Sequence, residues 1–136
     1  MTKTTDKINE VKSYLDELQE IAPNNIEEYR ASIEKKAACE RYVEKIVEAV
    51  TDLAFLTIKL KKLKIPEDDS DAFTILYENK IIDDIISTKL KNAKGMKNIL
   101  AHQYGKVDDE IVFEAVTQEL EKDVEAFIKQ IEKVLK

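Results

Sequence analysis

The sequence predicts an all-α fold, an up-and-down helical bundle of four or five helices in a single domain covering residues 1–136. Three observations predict it. Turn-forming residues are scarce, with two glycines and two prolines in the whole chain, too few for the closely spaced turns of a sheet-rich domain. Apolar side chains recur at three- and four-residue steps over long stretches, the period of one helix face. Those stretches are punctuated by Asp, Asn and Pro, which start and stop helices. A chain of 136 residues fits one domain and can bury a core without disulfide staples.

Each element follows from the same signals. The first helix is expected from about Thr5 to Ile21, with Ile8, Val11, Leu15 and Leu18 as its stripe and Thr5 or Asp6 as its cap. Pro23-Asn24-Asn25 ends it and caps the next. The second helical region runs from about Ile26 to Leu63, long enough that a kink or break is expected near Lys35-Lys36, where the apolar stripe thins. Ile65-Pro66 stops it, because the residue before proline avoids the helical region. A third helix is expected to start at about Asp71 and to be interrupted at Asn79-Lys80. A fourth carries Ile82, Ile85, Ile86 and Leu90 and continues to Ala101. Gly95 weakens it by about 1 kcal/mol relative to alanine, so a bend is expected there. Gln103-Tyr104-Gly105-Lys106 reads as a loop, and Asp108 as the cap of a last helix striped by Ile111, Val116, Val124, Phe127 and Leu135.

Composition excludes several function classes. With one cysteine, Cys39, the chain has no internal disulfide and no cysteine-based metal cluster. A lone thiol suits a reducing compartment, and Cys39 reads as a small buried filler. The N-terminal Met1-Thr2-Lys3-Thr4-Thr5-Asp6 leads into no apolar run, and no stretch approaches the roughly 20 apolar residues of a membrane span. The expectation is a cytoplasmic protein with no membrane contact. There is no glycine-rich phosphate loop, no His-Glu-x-x-His and no Cys-x-x-Cys, so neither a metal nor a cofactor is expected. The net charge of −6 argues against loose nucleic-acid binding, but its distribution is uneven. Between Lys89 and Lys106 lie five lysines and no acid, and Lys59, Lys61, Lys62 and Lys64 form a second basic stretch.

The first of those stretches contains the chain's one histidine, His102. A lone histidine at a helix end often only bonds a free carbonyl. Here its neighbours are chemically suited to each other. Asn98 lies four residues earlier, one helical turn away, and Lys94 extends that stripe by another turn. Lys97 adds a cation within the same two turns. Tyr104 follows at two residues, and in an extended chain its side chain points the same way as that of His102. An imidazole that titrates near neutrality, a cation, an amide and a phenol at one helix end suit a phosphodiester. Asp52, in the apolar-rich run Val50-Thr51-Asp52-Leu53-Ala54-Phe55, is a supporting candidate that would lie near the motif helix and pair with a cation or with His102. The plain alternative is an exposed helix residue. Arg41 reads as a structural ion-pair former, and the tyrosines other than Tyr104 as core or rim.

The run Lys97-Asn98-Ile99-Leu100-Ala101-His102-Gln103-Tyr104, followed by Val107-Asp108-Asp109-Glu110, resembles the Arg-Asn-x-x-x-His-x-Tyr motif and acid-capped last helix of the HepT-like HEPN family. Upstream, Ala38-Cys39-Glu40-Arg41 with Asp52-Leu53-Ala54 looks like that family's Ala-x-Glu-Arg…Asp-x-Ala segment, so the likeness spans about Glu27 to Val116. The resemblance implies a helical bundle that forms a homodimer. It also implies a metal-independent ribonuclease toxin whose motifs meet across the dimer to make an RNA cleft. The implied partner is an MNT-type nucleotidyltransferase antitoxin, which in some members nucleotidylates the motif tyrosine. Carried over, His102 is the acid/base, Lys97 and Asn98 complete the catalytic set, and Lys94 and Tyr104 contact substrate, with Tyr104 also a modification target.

The chain departs from the pattern at Lys97, where the family has arginine. Lysine keeps the charge but loses the planar two-pronged grip on phosphate. A slower ribonuclease, a binder that does not cut, and a silenced form all remain open. The alternative to the enzyme is therefore a catalytically silent HEPN protein that docks a nucleotidyltransferase or binds nucleotide or RNA. A plain structural bundle is a third, weaker reading.

Overall fold

The chain is seen in a computed structural model that describes residues 2–102 and 108–135. The elements are α1 (Thr2–Ile21), α2 (Ile26–Ala31), α3 (Ile33–Leu60), α4 (Asp69–Glu78), α5 (Asp84–His102), α6 (Asp109–Glu114), a π-helical turn (Ala115–Glu119) and α7 (Leu120–Leu135). No strand occurs among the described residues. The expected all-α bundle is what forms.

Cap chemistry, more than hydrophobic spacing, decides where these helices begin. α1 starts at Thr2, so Thr5 and Asp6 lie inside it rather than capping it. The long second region breaks at Ser32, not at Lys35-Lys36. Ser32 is extended, ends α2, and caps α3 by accepting the Lys35 N–H at 3.1 Å. α4 is capped by Asp68, whose carboxylate accepts the Asp71 N–H at 2.7 Å, while Asp71 reaches back to the Glu67 N–H at 2.9 Å. Asp71 therefore sits in the first turn instead of at the cap. Asp108 caps α6 as expected, accepting the Glu110 N–H at 2.9 Å.

The helix ends show a second correction. α3 stops at Leu60, before the Ile65-Pro66 signal is reached. Lys62 adopts a left-handed φ of 57°, the Leu63 N–H bonds the Ile58 carbonyl at 3.0 Å, and the Lys62 N–H bonds that of Lys59 at 3.1 Å. This paired C-terminal closure satisfies carbonyls that would otherwise be orphaned. α4 ends the same way around Lys80, with φ 62° and Ile81 N–H to Leu76 O at 2.9 Å. α5 runs unbroken through Gly95.

α3 is the central post, packed by α1, α2, α4 and α5, with α7 lying against α5. One contiguous core joins Val11 and Leu18 of α1, Ile46 and Leu53 of α3, Phe73 of α4 and Phe127 of α7. Phe73 and Phe127 meet edge to face at 6.0 Å. Each such side chain contributes about 1.5–3 kcal/mol by leaving water. Asp83 and Gln130 exchange hydrogen bonds of 3.0 and 2.8 Å, which ties the start of α5 to α7.

Candidate functional site at the end of α5

α5 carries the motif to its last turn. Leu90 and Leu100 are buried and anchor the helix to the core, so its C-terminal end is held firmly. His102 and Asn98 are exposed, one turn apart, while Lys97 and Lys94 are half-buried. Successive residues of a helix turn by about 100°, so Lys97, Lys94, Asn98 and His102 spread in that order over an arc of about 140°. The arrangement places an imidazole and an amide toward solvent, with two cations on the flank nearer the protein. A phosphate group resting beside His102 would meet Asn98 first and a lysine next.

The basic stretch is less uniform than its sequence suggests. Lys94 Nζ lies 4.0 Å from the Asp69 carboxylate of α4. Lys89 faces Asp123 of α7 across a groove of about 180 Å³ floored by Met96, Ala115 and Leu120. Burial raises the Asp123 carboxyl above its ordinary range, against the opposing pull of Lys89. The α5 lysines are thus distributed around the helix, and two of them answer acids of neighbouring elements. Tyr104 and Lys106 lie outside the described residues.

Asp52 is exposed on α3, and its carboxylate sits 3.5 Å from Lys7 Nζ of α1. It does pair with a cation, but that cation belongs to α1. No pair with Lys97 or His102 occurs among the described residues. Arg41 bonds Glu44 of its own helix at 3.3 Å, the structural role expected of it. Cys39 is fully buried, and burial pushes its thiol up, so it stays protonated and inert at neutral pH.

Sequence reasoning missed the clasp beyond the motif. Lys36 of α3 holds Asp109 at 3.2 Å and Arg30 of α2 holds Glu110 at 3.2 Å, both at the start of α6. Beneath them Tyr29 is buried against Phe113, with ring centroids 5.8 Å apart. Its hydroxyl has no hydrogen-bond partner among the described residues, and burial, with the Glu40 charge nearby, pushes its pKa well above the ordinary phenol value. Burial also raises the Glu40 carboxyl, helped by Asp109 and Glu44 and opposed by Lys36. The sequence signal was present only as acids at Asp109-Glu110 and cations at Arg30 and Lys36. Nothing in the sequence says that they meet.

A family model described as ribonuclease HepT-like matches residues 11–131. The chain belongs to the HepT-like family. This HepT-like chain is 35% identical to the mRNA nuclease HepT of Shewanella oneidensis over 89 residues, 65% of this chain and 66% of that protein. It is 27% identical to the tRNA nuclease HepT of Aphanizomenon flos-aquae over 123 residues, 90% of this chain and 82% of that one. The first of these alignments thus spans about two thirds of the relative's length. Among solved structures, it superposes with a TM-score of 0.89 and 27% identity on the tri-AMPylated Shewanella oneidensis HEPN toxin in complex with MNT antitoxin, covering 98% of this chain and 99% of that one. A toxin–antitoxin complex with AMP-PNP gives a TM-score of 0.88 at 26% identity, covering 96% and 97%. No helix among the described residues is long and apolar enough to cross a membrane.

Proposed function

We propose that this chain is an endoribonuclease toxin that cleaves RNA without a divalent metal and is neutralised by an MNT-type nucleotidyltransferase antitoxin. The observation that carries the reading is the exposed His102–Asn98 pair at the anchored end of α5, inside a motif of a HepT-like chain. The relatives named mRNA and tRNA nucleases support RNA as the substrate, and the toxin–antitoxin complexes support the partner.

The chemistry follows from the groups at hand. His102 removes the proton from a ribose 2′-hydroxyl, whose oxygen attacks the adjacent phosphorus. The 5′-oxygen leaves with its bonding electrons and takes a proton from an acid, leaving a 2′,3′-cyclic phosphate. Asn98 positions the imidazole or a phosphate oxygen, and Lys97 offsets the charge that develops on the phosphorane. Tyr104 contacts the substrate and is the residue that the antitoxin would nucleotidylate. One His102 supplies either the base or the acid, and a homodimer supplies both.

The outer face of α5 supports a dimer. Ile85 is 65% exposed and Ile99 39%, with Thr88, Asn92 and Gly95 between them, an uncharged stripe in a chain that is 37% charged. A Cβ built at Gly95 would meet nothing within 4 Å, so its small size leaves room on that face. Ile99 lies one turn from His102, about 4.5 Å along the helix. A twofold axis passing near Ile99 would bring two His102 side chains to one cleft. The protein would act in the cytoplasm, where its RNA is.

The silent alternative is favoured by one observation, Lys97 in place of the family's arginine. A cleavage assay in chelator, wild type against His102→Ala, decides between them. Cleavage by the wild type that is lost in a folded His102→Ala supports the enzyme. A wild type that binds the nucleotidyltransferase but leaves RNA intact supports the silent form.

A further inference from the structure

At the far end of α3 from the α2 junction, the surface opens into a groove of about 720 Å³. Phe55, Leu56, Leu63 and Ile65 floor it, and Lys59 and Lys62 stand on its rim. Ile65 is 85% exposed, a large apolar side chain with nothing over it among the described residues. The α3 closure builds this shape. The left-handed turn at Lys62 folds Leu63 back beneath Ile58 and leaves the Lys62 side chain outward.

Lysines outnumber acids around the groove, where Glu67, next to the lining Pro66, is an exposed acid. Lys61 and Lys64 are exposed beside Lys59 and Lys62. Asp52, the acid that lines the groove, is already matched to Lys7 at 3.5 Å. The nearby acids Asp68, Asp69 and Asp71 are engaged in capping α4, holding Lys94 and bonding the Glu67 N–H. A second copy docking here through a twofold axis would bring two lysine-rimmed patches together, and like charges across an interface are costly. With one half-buried ring, Phe55, and no arginine among its lining residues, the groove also offers nucleic acid little stacking and no forked phosphate grip.

We propose that this groove docks an acidic amphipathic segment of a partner protein, its apolar face on Phe55, Leu63 and Ile65 and its carboxylates on Lys59 and Lys62. An amphipathic helix laid into an apolar groove is a recurring mode of recognition. The assignment rests on the proposed nucleotidyltransferase partner, which is the protein that would carry the segment. The groove is lined by residues outside the motif, and none of Lys94, Lys97, Asn98 and His102 is among them.

The test uses the full chain and a purified MNT-type nucleotidyltransferase. Binding is measured by calorimetry for wild type, Ile65→Asp and the Lys59→Glu/Lys62→Glu pair, alongside sedimentation and RNA cleavage. All three substituted positions are exposed, so the fold is expected to survive, which circular dichroism checks. We expect at least a tenfold loss of nucleotidyltransferase affinity in each variant, with dimerisation and cleavage unchanged. Wild type binding with unaltered affinity in both variants overturns the groove assignment alone. A wild type that binds no nucleotidyltransferase overturns the partner reading and the groove assignment with it. Loss of the dimer in the variants would make a second copy the occupant, and loss of RNA binding would make it RNA. Either result overturns the proposal.

Discussion

The outer face of α5 and the groove at the end of α3 both leave large apolar side chains exposed, and they differ in charge. The α5 face carries Ile85 and Ile99 among neutral side chains and ends at His102. The α3 groove is lined by Phe55, Leu63 and Ile65 but is ringed by lysines. A neutral surface can meet its own copy, because twofold symmetry sets a patch against the same patch and an uncharged patch brings no repulsion. A lysine-ringed surface cannot do so cheaply, and it selects an acidic partner of a different kind. Under the proposals above, the charge pattern is what would separate self-association from recognition of another protein.

The largest expected effect separates the chemistry from both surfaces. His102→Ala should lower RNA cleavage by about 10²–10⁴-fold while sedimentation and nucleotidyltransferase affinity stay at wild-type values. A folded variant that still cleaves at full rate removes His102 from the mechanism. Next, Ile99→Asp places a charge at the His102 end of the neutral face, where the proposed twofold axis passes. We expect the dimer to weaken by roughly 30-fold or more, about 2 kcal/mol, with cleavage falling in parallel and groove binding intact. An unaltered dimer in ultracentrifugation would show that α5 is not the self-contact.

Salt offers a gentler probe of the same contrast. Exposed charges more than about 8 Å apart are largely screened at physiological ionic strength, and the range shrinks as salt rises. Nucleotidyltransferase affinity should therefore fall as salt rises from low to moderate, while the dimer should hold. A dimer that dissociates with salt at the same slope would erase the distinction. Lys97→Arg, which restores a planar fork, is expected to raise cleavage several-fold, read as kcat on a short RNA. Equal or lower activity would show that Lys97 does not hold the phosphate.

The smallest effect sharpens the groove. Lys62 occupies a left-handed conformation that costs a non-glycine residue about 1–2 kcal/mol. Glycine removes that cost but gains unfolded-state entropy, so Lys62→Gly should raise stability by roughly 0.5–1 kcal/mol. It also removes a rim cation, so the same variant should unfold at higher denaturant yet bind the nucleotidyltransferase less tightly. A stability gain without any loss of binding would take Lys62 out of the docking surface.

Much of this was legible in the sequence. The helical period of Val11, Leu15 and Leu18 placed α1, and the same period placed α7. The spacing of Lys97, Asn98, His102 and Tyr104 marked the family. Helix limits were less legible, since Ser32, Asp68 and Lys62 end or begin helices through one or two local hydrogen bonds that hydrophobic spacing does not register.

The sequence by itself determined the helical class, the faces that go inward, and the residues of the motif, because these depend on local spacing along one chain. Only the tertiary structure decided what each charge answers. It put Asp52 beside Lys7, Lys94 beside Asp69, Lys36 beside Asp109, and left Lys59 and Lys62 at the edge of an uncovered apolar groove. Coulomb attraction acts through space between elements remote in sequence. Its partners become definite only once the core has fixed how the helices pack.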